Sequence, residues 1–204
     1  MDTRAKLGAA AAAIAAGAAW QQMSPSACPY AQRWLLHLPR PWLTPARLSQ
    51  ILEPQPGERL LEVGPGTGVY ALPMAERVAP TGMVAGLDLQ QKMLDDLERR
   101  AARAGAPNVE LRQGDATALP YEDASFDGAF LVTVLGEVPD RAGALRELRR
   151  VLRPGGRAVF GETALDPHLV PLGRLRREAE AAGLRYERQV GRPPLGFYAR
   201  FSAG

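Results

Sequence analysis

The residues of this chain whose types and spacing invite chemistry begin at Glu62-Val63-Gly64-Pro65-Gly66-Thr67-Gly68, directly after an apolar run. Glycines at alternate positions remove the side chains that would block a ligand and permit the positive backbone angles of a sharp strand-to-helix turn. The dinucleotide fingerprint wants its third glycine one place later, where Val69 stands, and no lysine follows the glycines as a Walker loop requires. Twenty residues beyond Gly68, Asp88 ends the next apolar run, where a carboxylate can accept both hydroxyl hydrogens of a ribose. The pattern thus favours a nucleoside without a phosphate-binding loop. A third feature, Gly114-Asp115-Ala116, follows the next run, and Asp115 can accept from an exocyclic amine.

Each feature has a plainer reading: a tight turn at Gly64 to Gly68, a helix cap at Asp88, a turn residue at Asp115. Their recurrence at the ends of consecutive strands makes those readings poor in combination, because parallel sheets bind ligands at the carboxyl ends of their strands.

The elements that must position these groups follow from periodicity. Strands are expected at 59–63, 83–87, 109–113, 128–133 and 157–161, with amphipathic helices at 69–78, 90–104 and 141–152 between them. This alternation indicates an α/β domain, a mostly parallel, Rossmann-like sheet with helices on both faces. A helix at 172–182 and two strand-like stretches, 184–190 and 196–202, separated by Gly191-Arg192-Pro193-Pro194, close the chain as an antiparallel hairpin. Residues 53–204 are taken as this domain. Residues 1–52 are taken as an apolar helix and a Pro/Trp-rich helical cap, with a short helical pattern at 46–52.

The chain has 204 residues, enough for one good core; 46% hydrophobic and 23% charged residues are the composition of a globular protein. A formal charge of +3 is no nucleic-acid footprint, and Arg146, Arg149, Arg150 and Arg153, with Glu147 among them, fit a solvated helix face. The single Cys28 excludes an intrachain disulfide and fits a reducing compartment. No metal is called for. The apolar run 7–20 is shorter than the roughly 20 residues of a membrane-spanning helix and is weak as a signal peptide. The expectation is a cytoplasmic enzyme whose amino-terminal helix packs on the domain, with peripheral membrane contact as the alternative.

In order along the chain, LLEVGPGTG from Leu60, GLDLQQKML from Gly86, GDATALPYEDASFDGAF from Gly114 and LRELRRVLRPGGRAVFGE from Leu145 resemble the class I S-adenosylmethionine-dependent methyltransferases, within them the type 11 group of quinone-biosynthesis enzymes. The resemblance covers residues 57–162 and implies a seven-stranded sheet with the last strand antiparallel. It also implies an S-adenosyl-L-methionine cofactor held by the glycine loop (Gly64, Pro65, Gly66, Thr67, Gly68), with Asp88 at the ribose and Asp115 and Ala116 at the adenine. Glu62 would hold the methionyl amino end and Leu89 and Met93 would flank the adenine, although such an apolar pair is also ordinary core. Thr133, at the end of the fourth strand, is counted with the cofactor-binding residues.

No general base announces itself. Where the resembled family often carries paired histidines, this chain has Val134-Leu135-Gly136-Glu137-Val138-Pro139-Asp140. Glu137 and His168 are the catalytic candidates, against solvated-loop readings of both, and His37 ranks below them. The fourth strand lacks the Asn/Asp-Pro-Pro-aromatic run of amino-directed nucleic-acid methyltransferases, so a small-molecule acceptor is expected. Tyr30, Trp34, Leu35, Leu38 and Trp42 would wall an apolar pocket for a lipid- or quinone-like acceptor, or else simply pack the cap. The competing functional class is a non-catalytic partner or sensor that binds the S-adenosyl ligand.

Overall fold

A computed structural model describes residues 27–38 and 40–204. The apolar run 7–20 lies outside them. Among the described residues seven strands form one sheet: β1 (Arg59–Val63), β2 (Met83–Asp88), β3 (Val109–Gln113), β4 (Phe126–Val132), β5 (Leu152–Glu162), β6 (Leu184–Arg192) and β7 (Gly196–Ala203). The spatial order is β3-β2-β1-β4-β5-β7-β6. Neighbours from β3 to β5 pair in parallel, whereas β7 runs antiparallel to both β5 and β6. The chain reverses its direction of winding between β1 and β4, which opens a crevice at the carboxyl ends of those strands.

Alternation along the buried strands builds two cores. Leu61, Val63, Ala129, Leu131 and Phe160 face one side of the sheet, Leu60, Phe130, Val132 and Val159 the other. Helices α4 (Arg141–Val151) and α5 (Leu172–Ala181) supply Leu145, Leu148 and Leu175 to the first core. Helices α1 (Pro45–Leu52), α2 (Ala71–Val78) and α3 (Gln91–Ala104) supply Leu48, Met74 and Leu97 to the second. Asp140 caps α4 by accepting from Gly143 N at 2.9 Å, and Thr44 caps α1 by accepting from Arg47 N at 3.3 Å.

Three elements differ from the sequence reading. Helix α1, expected within the cap, is part of the sheet's packing, with Leu48, Ile51 and Leu52 fully buried. Helix α2 starts at Ala71, two residues later than its apolar period suggests, so the loop after β1 is longer. Strand β5 starts at Leu152, directly out of α4, because Leu152 pairs with Phe126 before an irregularity shifts the register to Gly128 opposite Arg157.

Ahead of α1, residues 30–37 form a 3-10 helix. Its three residues per turn set Trp34 and His37 on one side. Trp34 and Leu38 are 60% and 50% exposed, Tyr30 donates its hydroxyl to Asp96 at 2.9 Å, and Trp42 lies against Gly196 and beneath the Arg47 guanidinium. Of the two readings of Tyr30, Trp34, Leu35, Leu38 and Trp42, the pocket-wall one does not hold, since none of them lines the cavity between β1 and β4, and the short helical pitch turns Leu36 inward instead.

Candidate functional site

A cavity opens at the switch point between β1 and β4. Glu62, Gly64, Pro65 and Gly66 line it from the first loop, Asp88, Leu89, Gln90 and Met93 from the end of β2, and Gly114, Asp115 and Ala116 from the end of β3. Thr133, Val134 and Glu137 follow from beyond β4, and Ala27, Cys28, Leu36 and Arg40 from the cap segment. Of the sequence-predicted residues Thr67, Gly68 and His168 stand outside this lining. Thr67 faces the outer side of the 3-10 helix, where its Oγ1 lies 3.0 Å from His37 Nε2. His37, its pKa lowered by burial and by Arg100, borders that outer face rather than the cavity.

The loop is shaped by its glycines. Gly66 has φ +51° and a Cβ there would stand 2.7 Å from Leu36 Cδ1; Gly68 has φ +86° and a Cβ there would collide with Leu97 Cδ1. A side chain at either place meets both strain and a neighbour. Asp88, at the tip of β2, ties this turn down: Oδ2 accepts from Gly66 N at 3.1 Å and Oδ1 from Gln90 N at 2.9 Å. Burial raises its pKa while these two N–H groups pull it back. A carboxylate offers about four lone-pair directions, so Asp88 keeps capacity for ligand hydroxyls.

Glu62 stands where alternation along β1 would place a core residue and is 1% exposed. It accepts from the backbone of Ala71, and its Oε2 has no hydrogen-bond partner among the described residues. Burial first, and nearby Asp88 second, hold its pKa well above the usual carboxylate range. A buried carboxyl oxygen facing a cavity without a donor calls for one from a ligand, and a cationic ammonium is the strongest. Asp115 is exposed, and its Oδ1 accepts from Thr117 N and Oγ1, both at 2.8 Å.

Beyond β4 a second acidic group appears. Burial, then Asp166, pushes the Glu137 carboxyl up to about 8, against a backbone N–H from Cys28 at 3.3 Å. Behind it Glu162, also held at about 8 by burial, accepts from Val170 N at 3.1 Å. Asp166, its pKa raised by burial, accepts from His168 N at 2.8 Å. The solvated-loop readings of Glu137 and His168 do not hold. Glu137 is half-buried in the cavity wall, and the His168 side chain is 5% exposed, its backbone packed against Gly136.

Sequence reasoning missed Gln90, Arg40 and Cys28. Gln90 Oε1 accepts from Tyr30 N at 3.1 Å and its Nε2 donates to Cys28 O at 2.8 Å, so one amide straps the cap over the cavity. Its position directly after Asp88-Leu89 was the available signal; for Arg40 it was the flanking Pro39 and Pro41. Among the described residues no group of three or more His, Cys, Asp or Glu is arranged to hold a metal ion, and no helix is long and apolar enough to cross a membrane.

Residues 61–160 match the family described as Methyltransferase domain. The chain is 46% identical over 115 residues to an uncharacterized 37.1 kDa protein in transposon TN4556 of Streptomyces fradiae, covering 56% of this chain and 33% of that protein. It is 42% identical over 110 residues to the demethylmenaquinone methyltransferase of Geobacillus kaustophilus, covering 54% of this chain and 47% of that one. The chain thus spans between a third and a half of the length of these curated relatives. Among solved structures, a SAM dependent methyltransferase from Aquifex aeolicus superposes with a TM-score of 0.80 at 21% identity, covering 87% of this chain and all of that one, and so shares its fold. With that sheet, that glycine loop and that match in hand, residues 61–160 are similar to the methyltransferase domain family, and the chain has the fold of the Aquifex aeolicus protein.

Proposed function

We propose that this protein transfers a methyl group from S-adenosyl-L-methionine to a small acceptor with an apolar body. The observation that carries the reading is the buried Glu62 Oε2, without a hydrogen-bond partner among the described residues, at the head of a cavity whose other wall is a bare-backbone turn. In this reading Glu62 takes the ammonium of the cofactor's methionyl end, Asp88 the ribose hydroxyls, and Asp115 with Ala116 the adenine edge. Leu89 and Met93 pack on the base, and Gly64, Pro65 and Gly66 give the nucleoside room. Thr67 and Gly68 act on the turn rather than on the ligand.

The cofactor supplies an already electrophilic methyl, so the protein's task is placement and exclusion of water. The cap segment, strapped by Gln90 and Glu137, covers one side of the cavity. Glu137, its carboxyl held near neutral pH, takes a proton from an acceptor that arrives un-ionised. Support for an apolar acceptor comes from Val132, Val134, Val138 and Leu36 in the lining, and from relatives named demethylmenaquinone methyltransferases. Isotope-labelled methyl transfer to quinol-like and polar acceptors, run beside calorimetry with the cofactor, tests it. Labelled apolar product is expected; binding without transfer to any acceptor would point to the sensor alternative.

A further inference from the structure

Arg40 reaches the cavity wall from the cap and carries a charge that no carboxylate among the described residues pairs with there. Its Nη1 donates to Thr133 Oγ1 at 3.4 Å, and among the described residues no carboxylate lies within ion-pair distance of the guanidinium. Tyr70, another lining residue, accepts a hydrogen bond from Arg40 on its hydroxyl oxygen while giving its hydroxyl hydrogen to Leu43 O at 2.7 Å, and the Tyr198 hydroxyl donates to Thr44 O at 3.4 Å. The acids that feel the Arg40 charge, Glu137 and Asp166, are bonded instead to the backbones of Cys28 and His168. A guanidinium has five donors, so most remain for a ligand.

Thr133, the side chain that Arg40 meets, has φ +56°, a left-handed backbone that β-branched residues avoid. Its N–H still donates to Gly161 O at 2.8 Å, so the chain leaves β4 through a strained turn that keeps the threonine hydroxyl beside the arginine. Such outliers persist where the surroundings enforce them and gather at ligand sites. Leu36, Val132, Val134 and Val138 give the cavity an apolar side, while its acids Glu62, Asp88 and Glu137 form no ion pair with Arg40. A half-buried cation without an ion-pair partner is completed by an anionic ligand group.

We infer that Arg40 and Thr133 form an oxyanion subsite that selects an acceptor bearing an acidic hydroxyl, a phenol or enol, on an apolar body. The inference rests on the methyl-transfer reading of the cavity. On binding, the acceptor O–H bond breaks, its electron pair stays on oxygen beside the guanidinium, and the proton goes to Glu137 when that carboxylate is ionised, otherwise to water. A carboxylic acid would arrive ionised and would need no such acid beside it; the raised Glu137 carboxyl therefore favours the weaker acid.

The test is a pH titration of 4-nitrophenol, whose anion is coloured, bound to the full chain with and without saturating S-adenosylhomocysteine. Bound dye is expected to ionise at a pH lower than free dye by about one unit, a tenfold change in its ionisation. Arg40→Gln is expected to erase the shift, and Arg40→Lys to keep part of it. Thermal unfolding and S-adenosylhomocysteine affinity check that both variants fold. An unshifted dye, a shift that survives in Arg40→Gln, absence of dye binding, or displacement by benzoate without any shift overturns the subsite. If S-adenosylhomocysteine binds while the dye is unshifted, the subsite alone fails; if S-adenosylhomocysteine does not bind, the methyl-transfer reading fails.

Discussion

Asp88 and Gly66, 22 residues apart, are joined by a 3.1 Å hydrogen bond from the Gly66 backbone N–H to Asp88 Oδ2, so the carboxylate at the tip of β2 holds the turn at the tip of β1. The acid fixes the bare loop and, in the proposed reading, presents its remaining lone pairs to the ligand. Asp88→Ala should weaken S-adenosylhomocysteine binding by about 1.5 to 3 kcal/mol, the range of a hydrogen bond to a charged group. Calorimetric titration of the two proteins reads this directly, and equal affinities would remove Asp88 from the site.

Gly66→Val should abolish ligand binding and lower stability. Its φ of +51° strains any branched side chain, and the new Cβ would press on Leu36 of the cap at 2.7 Å. Backbone strain of this kind costs on the order of 1 to 3 kcal/mol. A urea midpoint equal to wild type, with ligand still bound, would show that the turn tolerates a side chain.

The amide of Gln90 should govern closure of the cap. Gln90→Ala removes the bonds to Tyr30 N and Cys28 O while leaving the Gln90 N to Asp88 bond in place. Faster hydrogen exchange confined to residues 27–38 is expected, with the exchange of β1 and β2 unchanged. No change in exchange would mean that Glu137 and the packing of Leu36 suffice.

What was legible in the sequence was local. Gly64 to Gly68, Asp88 and Asp115 each follow an apolar run, so periodicity placed them at strand ends and the parallel sheet gathered them on one edge. The seven strands were legible as short strand-like runs between turn residues, although only the inner ones are buried on both faces; β3 and β6, at the sheet edges, are largely exposed. Contacts across long sequence separations were not. Cys28 and Glu137 are 109 residues apart and Tyr30 and Gln90 are 60 apart, and no local pattern encodes either pairing. The cap residues stayed open between pocket wall and cap packing because hydrophobicity alone does not say which side of a short 3-10 helix faces inward; Trp34 is exposed while Leu36 lines the cavity. The early start of β5 was hidden by Arg153-Pro154-Gly155-Gly156, which has the composition of a turn.

Glu137 and Glu162, both held at about 8 by burial, should make the fold less stable as pH rises. An unfolded glutamate titrates near 4.3, so above that pH the unfolded chain has released protons that the folded chain retains. Their contribution is complete below about pH 4 and is lost progressively up to about pH 8. Melting temperatures measured across that window should fall, and the fall should shrink in Glu137→Gln and Glu162→Gln. A flat profile, or one as steep in the variants as in wild type, would contradict this.

The most direct measurement is the proton count on ligand binding. Glu62 is buried, its Oε2 has no hydrogen-bond partner among the described residues, and burial holds its pKa well above the usual carboxylate range, so an ammonium reaching it should lower that pKa and release a proton. Calorimetric titration of S-adenosylhomocysteine in two buffers of different ionisation enthalpy should show about one proton released per ligand bound, and Glu62→Gln should lose both that release and most of the affinity. Binding without proton exchange, unaffected by Glu62→Gln, or no binding at all, would contradict the account.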